Sequence, residues 1–183
     1  MKALQEIGPT QAFCYFYRTL LYVIFRALPF PQFRSLFLRL CGVKLGKNCV
    51  VHNIRFMNLH RGGFKNLSMG DDCFLGGEVL LDLATQIRLG NQVTLAERTL
   101  IMTHMNVGYK DHPLQKEFRS RVGPVSIDNA SFIGAGSIIL EGIKIGPKSF
   151  IGAGSLVSGD VSGNSFWAGN PARIVRSLAT TEQ

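Results

Sequence analysis

The chain has 183 residues and 46% of them are hydrophobic, so it is long and apolar enough to form one domain with a sizeable core. Its formal net charge of +8 suits an anionic ligand or an anionic membrane surface. No aromatic-rich stacking motif accompanies the basic residues, which argues against a nucleic-acid-binding protein.

The first residues give no sign of a secretory signal peptide, because the opening Met-Lys-Ala-Leu lacks a compact apolar core and a cleavage site. The four cysteines form neither a CxxC pair nor a metal-ligand spacing, and they are Cys14, Cys41, Cys49 and Cys73. We interpret them as small buried thiols in a reducing compartment. The sequence therefore predicts a cytoplasmic protein.

Residues 1–42 are predicted to form a separate helical segment. Pro9 is typical of a helix start, and residues 11–28 are rich in Phe, Leu, Tyr and Val until a proline ends the run. A second, short helix is predicted from Gln32 to Leu40. The first apolar run is too short, and too interrupted by Arg18, to span a bilayer of roughly 30 Å.

Two interpretations of residues 11–40 are open. In the one we favour, they form a cap that covers the exposed first coil of the following domain or packs on a neighbouring subunit. In the other, they lie on an anionic membrane as interfacial helices, and the protein is membrane-associated on the cytoplasmic face.

An aliphatic residue returns at every sixth position in the later part of the chain, at Ile127, Ile133, Ile139, Ile145, Ile151 and Val157. A period of six fits neither a helix of about 3.6 residues per turn nor a strand of period two. It fits a coil that turns a corner every six residues, so that three hexads close one triangular turn. The aliphatic residues would fill the inside, while Gly or Asp relaxes the corners.

Two breaks interrupt the hexad register. A short insertion lies around Leu83 to Gln86, and a long one runs from His104 to Pro124. The stretch from Arg55 to Asn66 keeps the count but puts Gly62 and Gly63 where a core side chain is wanted, so we expect it to bulge. Because each coil of a solenoid packs only on its neighbours, such loops can leave the stack without disturbing it.

These limits define the predicted domain organisation. A β-helical domain spans residues 43–176, the protruding loop occupies residues 104–124, and residues 177–183 form a tail.

Two stretches resemble the hexapeptide-repeat acyltransferases. One runs from Val125 to Gly146 and contains Phe-Ile-Gly-Ala-Gly-Ser-Ile-Ile, and the other ends in Trp-Ala-Gly-Asn-Pro-Ala-Arg-Ile-Val-Arg at Arg176. The resemblance covers about residues 43–176 and is nearest to the galactoside, maltose and polysaccharide O-acetyltransferases. It implies a left-handed parallel β-helix, against the usual right-handed crossover, that forms a homotrimer and binds acetyl-CoA between subunits.

The activity that this resemblance implies is acetyl-CoA-dependent transfer of an acetyl group to a hydroxyl of a sugar or glycan precursor, as in polysaccharide biosynthesis. No metal is expected, because the thioester is already activated.

His104 is the candidate general base. It ends the regular hexad run at the root of the long loop, where rigid β-structure would hold it at the mouth of a cleft. A histidine can take the proton from an acceptor hydroxyl as that oxygen attacks the thioester carbonyl. In the resembled family a histidine at the matching place is the catalytic base.

Two further residues are assigned to substrate binding. His112 lies inside the loop, before a proline, and is also the rival candidate for the base. Asp82 occupies a corner two coils before the loop, where the resemblance implies that an acidic residue binds sugar hydroxyls or orients the histidine. An ordinary solvated corner aspartate is the alternative for Asp82.

The resemblance also implies contacts to coenzyme A, whose pantetheine arm would lie on small-residue coils and whose phosphates would be held by arginine. The residues at the matching positions are Ala135, Ala153, Ser158, Gly159, Arg173 and Arg176. Two departures from the family pattern are Gly159, in place of a common lysine, and Phe132, in place of a frequent tryptophan.

Two other classes of protein are weighed against the acyltransferase. A non-catalytic solenoid scaffold would leave the candidate base and the C-terminal motif unexplained. A γ-type carbonic anhydrase needs three histidines on zinc, and His104 and His112 supply two at most.

Overall fold

The computed structural model describes residues 9–178, with side chains described from residue 12 onward. Two α-helices come first, α1 (Pro9–Ala27) and α2 (Pro31–Leu40), close to the limits predicted from the sequence. A proline in the first turn suits α2, because its fixed φ matches the helix and its missing N–H has no partner there. Within the described residues, neither helix is long and apolar enough to cross a membrane.

The rest of the chain winds around three parallel sheets, which form the faces of a triangular prism. The first face holds β1 (Lys44–Leu45), β4 (Leu67–Met69), β7 (Ile87–Leu89), β12 (Val125–Ile127) and β15 (Lys144–Ile145). The second face holds β2 (Val50–Val51), β5 (Phe74–Leu75), β8 (Thr94–Leu95), β13 (Phe132–Ile133), β16 (Phe150–Ile151), β18 (Ser165–Gly169) and β19 (Ala172–Ser177). The third face holds β3 (Arg55–Met57), β6 (Leu80–Asp82), β9 (Leu100–Ile101), β14 (Ile138–Ile139) and β17 (Leu156–Val157).

The core follows the predicted hexad register. Each aliphatic hexad residue is stacked on the one a full turn later, as Ile127 is on Ile145 and Ile139 on Val157. All six of the residues that define the period are at most 2% exposed. The small residues two positions earlier are also buried, and the hydroxyl of Ser137 donates to the carbonyl of Gly152 at 2.9 Å. Serine therefore both leaves room and satisfies a corner carbonyl.

Ile145 and Lys144 give a matched test of this core, because they are neighbours on β15 and point to opposite sides. Ile145 is 2% exposed, whereas Lys144 lies on the exposed outer face. We expect Ile145→Ala to lower the free energy of unfolding by about 2–5 kcal/mol, because it leaves a cavity in a packed stack. Lys144→Ala should change it by no more than about 0.5 kcal/mol. Denaturant unfolding measures both, and equal losses would contradict an inward-facing aliphatic core.

The bulged stretch and the long loop are present as expected. After β3 the chain forms a short helix, α3 (Leu59–Gly62), followed by a 3₁₀ turn from Phe64 to Asn66, so this stretch does bulge. The long loop begins with β10 (His104–Met105) and ends with β11 (Arg121–Val122), which pair in an antiparallel ladder at its root.

The C-terminal motif forms a hairpin rather than another coil. β18 and β19 pair antiparallel, with the turn at Asn170 and Pro171 joined by a cis peptide bond. β18 also pairs with β16, so the hairpin closes the end of the second face.

The two N-terminal helices pack on the opposite end of the prism. Phe25 of α1 and Leu38 of α2 are fully buried and belong to the same core cluster as the coil residues. Phe25 contacts Phe56 ring to ring, with centroids 5.4 Å apart. The helices therefore cover the first coil with one face each.

Candidate active site

Three successive coils bring polar side chains together at one edge of the prism. This edge, where the chain leaves the third face and returns to the first, is called here the third–first edge. Met57 pairs with Asp82, so Asn58 lies one coil before Asp82. Leu81 pairs with Ile101, so Thr103 and His104 lie one coil after Asp82, and the expected separation of two coils is wrong.

His104 and Asp82 form a hydrogen-bonded pair. Nδ1 of His104 lies 2.5 Å from Oδ2 of Asp82. The imidazole is only partly exposed, at 18%, while Asp82 has no exposed surface. Because a carboxylate accepts, Nδ1 carries the proton, and the lone pair of the neutral ring is on Nε2.

Several donors surround the carboxylate of Asp82. Oδ1 accepts from the side-chain amide of Asn58 at 2.7 Å and from the backbone N–H of Ala84 at 3.1 Å. Oδ2 accepts from the backbone N–H of Thr103 at 2.9 Å, beside His104. Burial alone would raise the pKa of Asp82, but the hydrogen bonds from Asn58, His104 and Thr103 prevail and hold that pKa below its ordinary value. The carboxylate is therefore ionised at neutral pH.

The short insertion after Asp82 is part of this arrangement. The backbone N–H of Thr85 donates to the hydroxyl of Thr103 at 3.1 Å, and that hydroxyl donates to the carbonyl of Asp82 at 2.7 Å. The insertion thus supplies backbone donors to the buried polar groups of the site.

The root of the long loop fixes the histidine from the other side. His104 pairs with Val122 across the antiparallel ladder, and the N–H of Gly123 donates to the carbonyl of Thr103 at 2.9 Å. Arg121 makes an ion pair of 2.5 Å with Glu141 of the next coil. His104 is therefore held by rigid structure, as a positioned base requires.

His112 lies elsewhere, exposed on the loop. Its Nδ1 accepts from the backbone N–H of Leu114 at 3.2 Å and caps a 3₁₀ turn. In the neutral ring this bond puts the proton on Nε2, so the nitrogen that faces away from the cap is a donor rather than a base.

A cavity of about 420 Å³ adjoins the polar cluster between α1 and α3. It is lined in part by Tyr15, Tyr22, Asn58 and His60. Burial, followed by the charges of Arg61, Arg18 and His104, lowers the pKa of His60, so its neutral form is favoured. The cavity thus offers aromatic and neutral hydrogen-bonding groups beside the histidine–aspartate pair.

The predicted coenzyme A residues fall into two groups on different edges. Ala135 and Ala153 are exposed and stacked where the chain passes from the second to the third face, called here the second–third edge, with the N–H of Gly154 bonded to the carbonyl of Ala135 at 2.9 Å. Arg173 pairs with Ala168 near this edge. Ser158 and Gly159 lie instead on the third–first edge, further along the stack than His104.

Arg176 is set apart from both groups. It pairs with Phe166 near the start of the hairpin, while Arg173 lies near the turn. Both arginine side chains are exposed, so both are free to contact an anion at the surface.

Asn58 and Thr103 are the site residues that the sequence reasoning did not find. Thr103 directly precedes the candidate base and is fully buried. A polar residue at a position that the hexad count turns inward could have indicated it. Asn58 lies in the bulged stretch, where the hexad count does not say which residue points to the edge. Its left-handed backbone, with φ of 56°, is one that asparagine tolerates better than most residues.

Within residues 9–178, no group of three or more His, Cys, Asp or Glu side chains is arranged to hold a metal ion.

Comparison with known proteins agrees with this architecture. The family model described as bacterial transferase hexapeptide (six repeats) matches residues 124–159. The chain is 33% identical to Protein CapG of Staphylococcus aureus over 148 residues, and this match covers 79% of this chain and 72% of CapG. It is 27% identical over 152 residues to the putative colanic acid biosynthesis acetyltransferase WcaF of Escherichia coli (strain K12), which covers 82% of this chain and 78% of WcaF.

A solved structure has the same fold. It is a hexapeptide-repeat-containing acetyltransferase from Vibrio cholerae O1 biovar eltor, complexed with acetyl-CoA, with a TM-score of 0.77 and 24% identity over 88% of this chain and 85% of that chain. The chain belongs to the hexapeptide-repeat acyltransferase family. It is an acyltransferase with a left-handed parallel β-helix, as the resemblance in its sequence implied.

Proposed function

We propose that this protein is an acetyl-CoA-dependent O-acetyltransferase that acts on a sugar or glycan precursor, with His104 as the general base. The observation that carries the proposal is the pair formed by His104 and the fully buried Asp82. A carboxylate that accepts from Nδ1 fixes the tautomer and stabilises the imidazolium that forms during proton transfer.

The reaction requires one proton to be taken up and returned. Nε2 of His104 accepts the proton of the acceptor hydroxyl as that oxygen forms a bond to the thioester carbonyl carbon. When the carbon–sulfur bond breaks, the imidazolium gives the proton to the leaving sulfur, so the products are the acetyl ester and free coenzyme A. The base is unchanged at the end of the cycle.

The burial of Asp82 favours an orienting role over direct contact with the acceptor. Both carboxylate oxygens already accept hydrogen bonds, and no part of the residue is exposed. We assign acceptor binding instead to the cavity beside Asn58, where Tyr15 and Tyr22 offer ring surfaces for a sugar and His60 can hydrogen-bond its hydroxyls. His112 contributes from the loop as a donor.

The separation of the coenzyme A residues supports a homotrimer. Ala135 and Ala153 lie on a different edge from Ser158 and Gly159, so one extended cofactor would meet both pairs only where two subunits join. The outer side of the third face, between these edges, carries a half-exposed aliphatic row suited to such an interface, formed by Leu80, Leu100, Ile138 and Leu156.

The second–third edge fits an extended pantetheine arm. A Cβ placed on Gly136 or Gly154 would meet nothing within 4 Å, so the edge beside Ala135 and Ala153 is open. Small residues let such an arm approach the backbone closely and bond to its amides. The relative of the same fold solved with acetyl-CoA supports this choice of donor.

Removing the C-terminal arginines tests the donor site. Arg173→Ala or Arg176→Ala should weaken acetyl-CoA binding by about 1.5–3 kcal/mol each if the side chain makes a charge-assisted hydrogen bond to a phosphate. Arg88→Ala, on the outer side of the first face, is the matched control and should leave affinity unchanged. Calorimetry measures all three, and a wild-type protein that binds no acetyl-CoA would overturn the proposed function.

The acceptor is identified by following thiol release from acetyl-CoA with a panel of free sugars, nucleotide sugars and glycan fragments. An acceptor-dependent rate that disappears in His104→Ala supports the proposal. Acetylation only of amines would show that the acceptor group is wrong, although the base would remain the same.

A further inference from the structure

The two N-terminal helices each expose an apolar face that no other part of the described chain covers. The residues concerned, called here the outer helical face, are Phe13, Phe16, Tyr17, Leu20, Val23 and Ile24 of α1 and Phe33, Leu36 and Leu40 of α2. They are between 42% and 78% exposed. On α1 they recur at the spacing of one side of a helix, opposite the side that buries Phe25.

The contributions of α1 and α2 lie on the same side of the protein. Tyr17 of α1 and Leu40 of α2 line one groove, and Lys65 lies in the same groove. Arg18 also lines this groove, but its guanidinium turns inward and donates to the carbonyl of Leu59 at 2.6 Å. The outer helical face is thus an apolar surface shared by the two helices, with Lys65 in the groove between them, unlike the scattered apolar residues of an ordinary surface.

The positive charge of the chain is concentrated in the part of the sequence that forms the two helices and the first coil. Residues 7–70 contain no aspartate or glutamate, and their nine basic residues are Arg18, Arg26, Arg34, Arg39, Lys44, Lys47, Arg55, Arg61 and Lys65. From residue 71 onward, ten basic and eleven acidic residues nearly balance. The net charge of +8 therefore comes from the helices and the first coil that they cover.

We propose that the outer helical face docks on an anionic lipid surface. An exposed apolar helix face with basic residues at its border buries its side chains at the boundary between headgroups and acyl chains, and anionic headgroups neutralise the cations. A second copy of the same face fits less well, since two such faces would bring like charges together. Docking in this way is peripheral and needs no membrane-spanning helix.

The candidate acceptor cavity and the outer helical face share helix α1. Tyr15 and Tyr22 line that cavity and belong to α1, the helix that carries most of the outer helical face. Docking would hold the cavity close to the membrane, where acceptors attached to lipid are concentrated.

Vesicle sedimentation with the full chain tests the proposal without any acetyl-CoA, so its outcome is independent of the proposed activity. We expect binding to phosphatidylcholine vesicles that contain about one quarter phosphatidylglycerol, and little binding to pure phosphatidylcholine. Binding should fall as salt is raised, because the Debye length, over which charges interact, shortens from about 10 Å at 0.1 M to about 3 Å at 1 M. Arg26→Gln combined with Lys65→Gln should reduce the salt-dependent part of the vesicle binding.

The apolar part is tested by Phe16→Ser combined with Leu20→Ser, which should lower the bound-to-free ratio at least about tenfold. Ile174→Ser with Val175→Ser is the matched control, since these side chains are 52% and 56% exposed at the far end of the stack. All of these side chains are exposed, so the variants should remain folded by circular dichroism.

Three results would overturn the proposal. The wild-type protein could stay in the supernatant, or it could bind neutral vesicles as well as anionic ones. In the third, the Phe16 and Leu20 variant would keep its vesicle binding but sediment as a smaller species, which would show that the face joins subunits.

Discussion

Replacing His104 with alanine should lower turnover by about 10²–10⁴-fold, the usual contribution of a positioned proton transfer. The ring lies at the root of the loop, held by its bond to Asp82 and by the ladder with Val122. Acetyl-CoA affinity should be nearly unchanged. Steady-state kinetics measures the turnover, and calorimetry measures the acetyl-CoA affinity.

His112→Ala is the matched control for this experiment. Because its Nδ1 caps a turn and its Nε2 carries the proton, we expect a small effect that appears mainly in the acceptor KM. If His112→Ala were inactive while His104→Ala kept near-full turnover, the roles of the two histidines would have to be exchanged.

Asp82→Asn should lower turnover by about 10²–10⁴-fold while leaving the imidazole in place. The asparagine would keep the volume of the carboxylate but could no longer fix the Nδ1–H tautomer or stabilise the imidazolium. Its NH₂ group would also be a donor that faces either the donors of Asn58 and Ala84 or that of Thr103, which should cost about 1–3 kcal/mol of folding stability. A shift of the pH–rate profile would distinguish a positioning role from a purely structural one.

Asp128→Asn serves as the control, because Asp128 is an exposed corner residue on another coil. It should change neither rate nor stability. An active Asp82→Asn enzyme with an unaltered pH profile would show that His104 works without its carboxylate.

The lowered pKa of Asp82 also predicts how stability depends on pH. Its pKa in the folded protein is below the unfolded value of about 3.9. The stabilisation is therefore fully present above the unfolded pKa and is lost as pH falls through the folded pKa. Denaturant unfolding of wild type and Asp82→Asn at a series of pH values should show a difference that shrinks only in this acid range. A difference that is constant with pH would contradict the ionised state of Asp82.

Most of the fold could be predicted from the six-residue period of the sequence. Because each aliphatic hexad residue must face the inside, the positions of Ile127 through Val157 fix which residues are stacked, and the structure has the same register. The loop at His104 was also predictable, since it is the place where the period stops. No such signal indicated the direction of Arg18, which interrupts the apolar run of α1 but turns inward and donates to the carbonyl of Leu59.

The polar cluster was predictable only in part. Asp82 and His104 stand at corners that the hexad count locates, and orientation of the histidine by Asp82 was one of the two roles considered. Asn58 could not be found, because the bulge from Arg55 to Asn66 breaks the relation between position and direction. The division of the coenzyme A residues between two edges was missed for a different reason. A match of single positions to the family pattern does not say which corner of the coil each residue occupies.

Asn58, Asp82 and His104 are stacked on successive turns, so the number of residues between them decides whether their side chains meet. One regular turn takes eighteen residues, as from Ile127 to Ile145. Deleting a single hexad between Asp82 and His104 would rotate everything after it by one third of a turn and move the histidine to another edge. Deleting a complete turn elsewhere in the stack would shorten the prism but keep its edges aligned. Within the regular coils, length changes are therefore tolerated in steps of three hexads, whereas extra residues at a corner leave the stack as a loop, as in the 20-residue turn from Leu81 to Ile101.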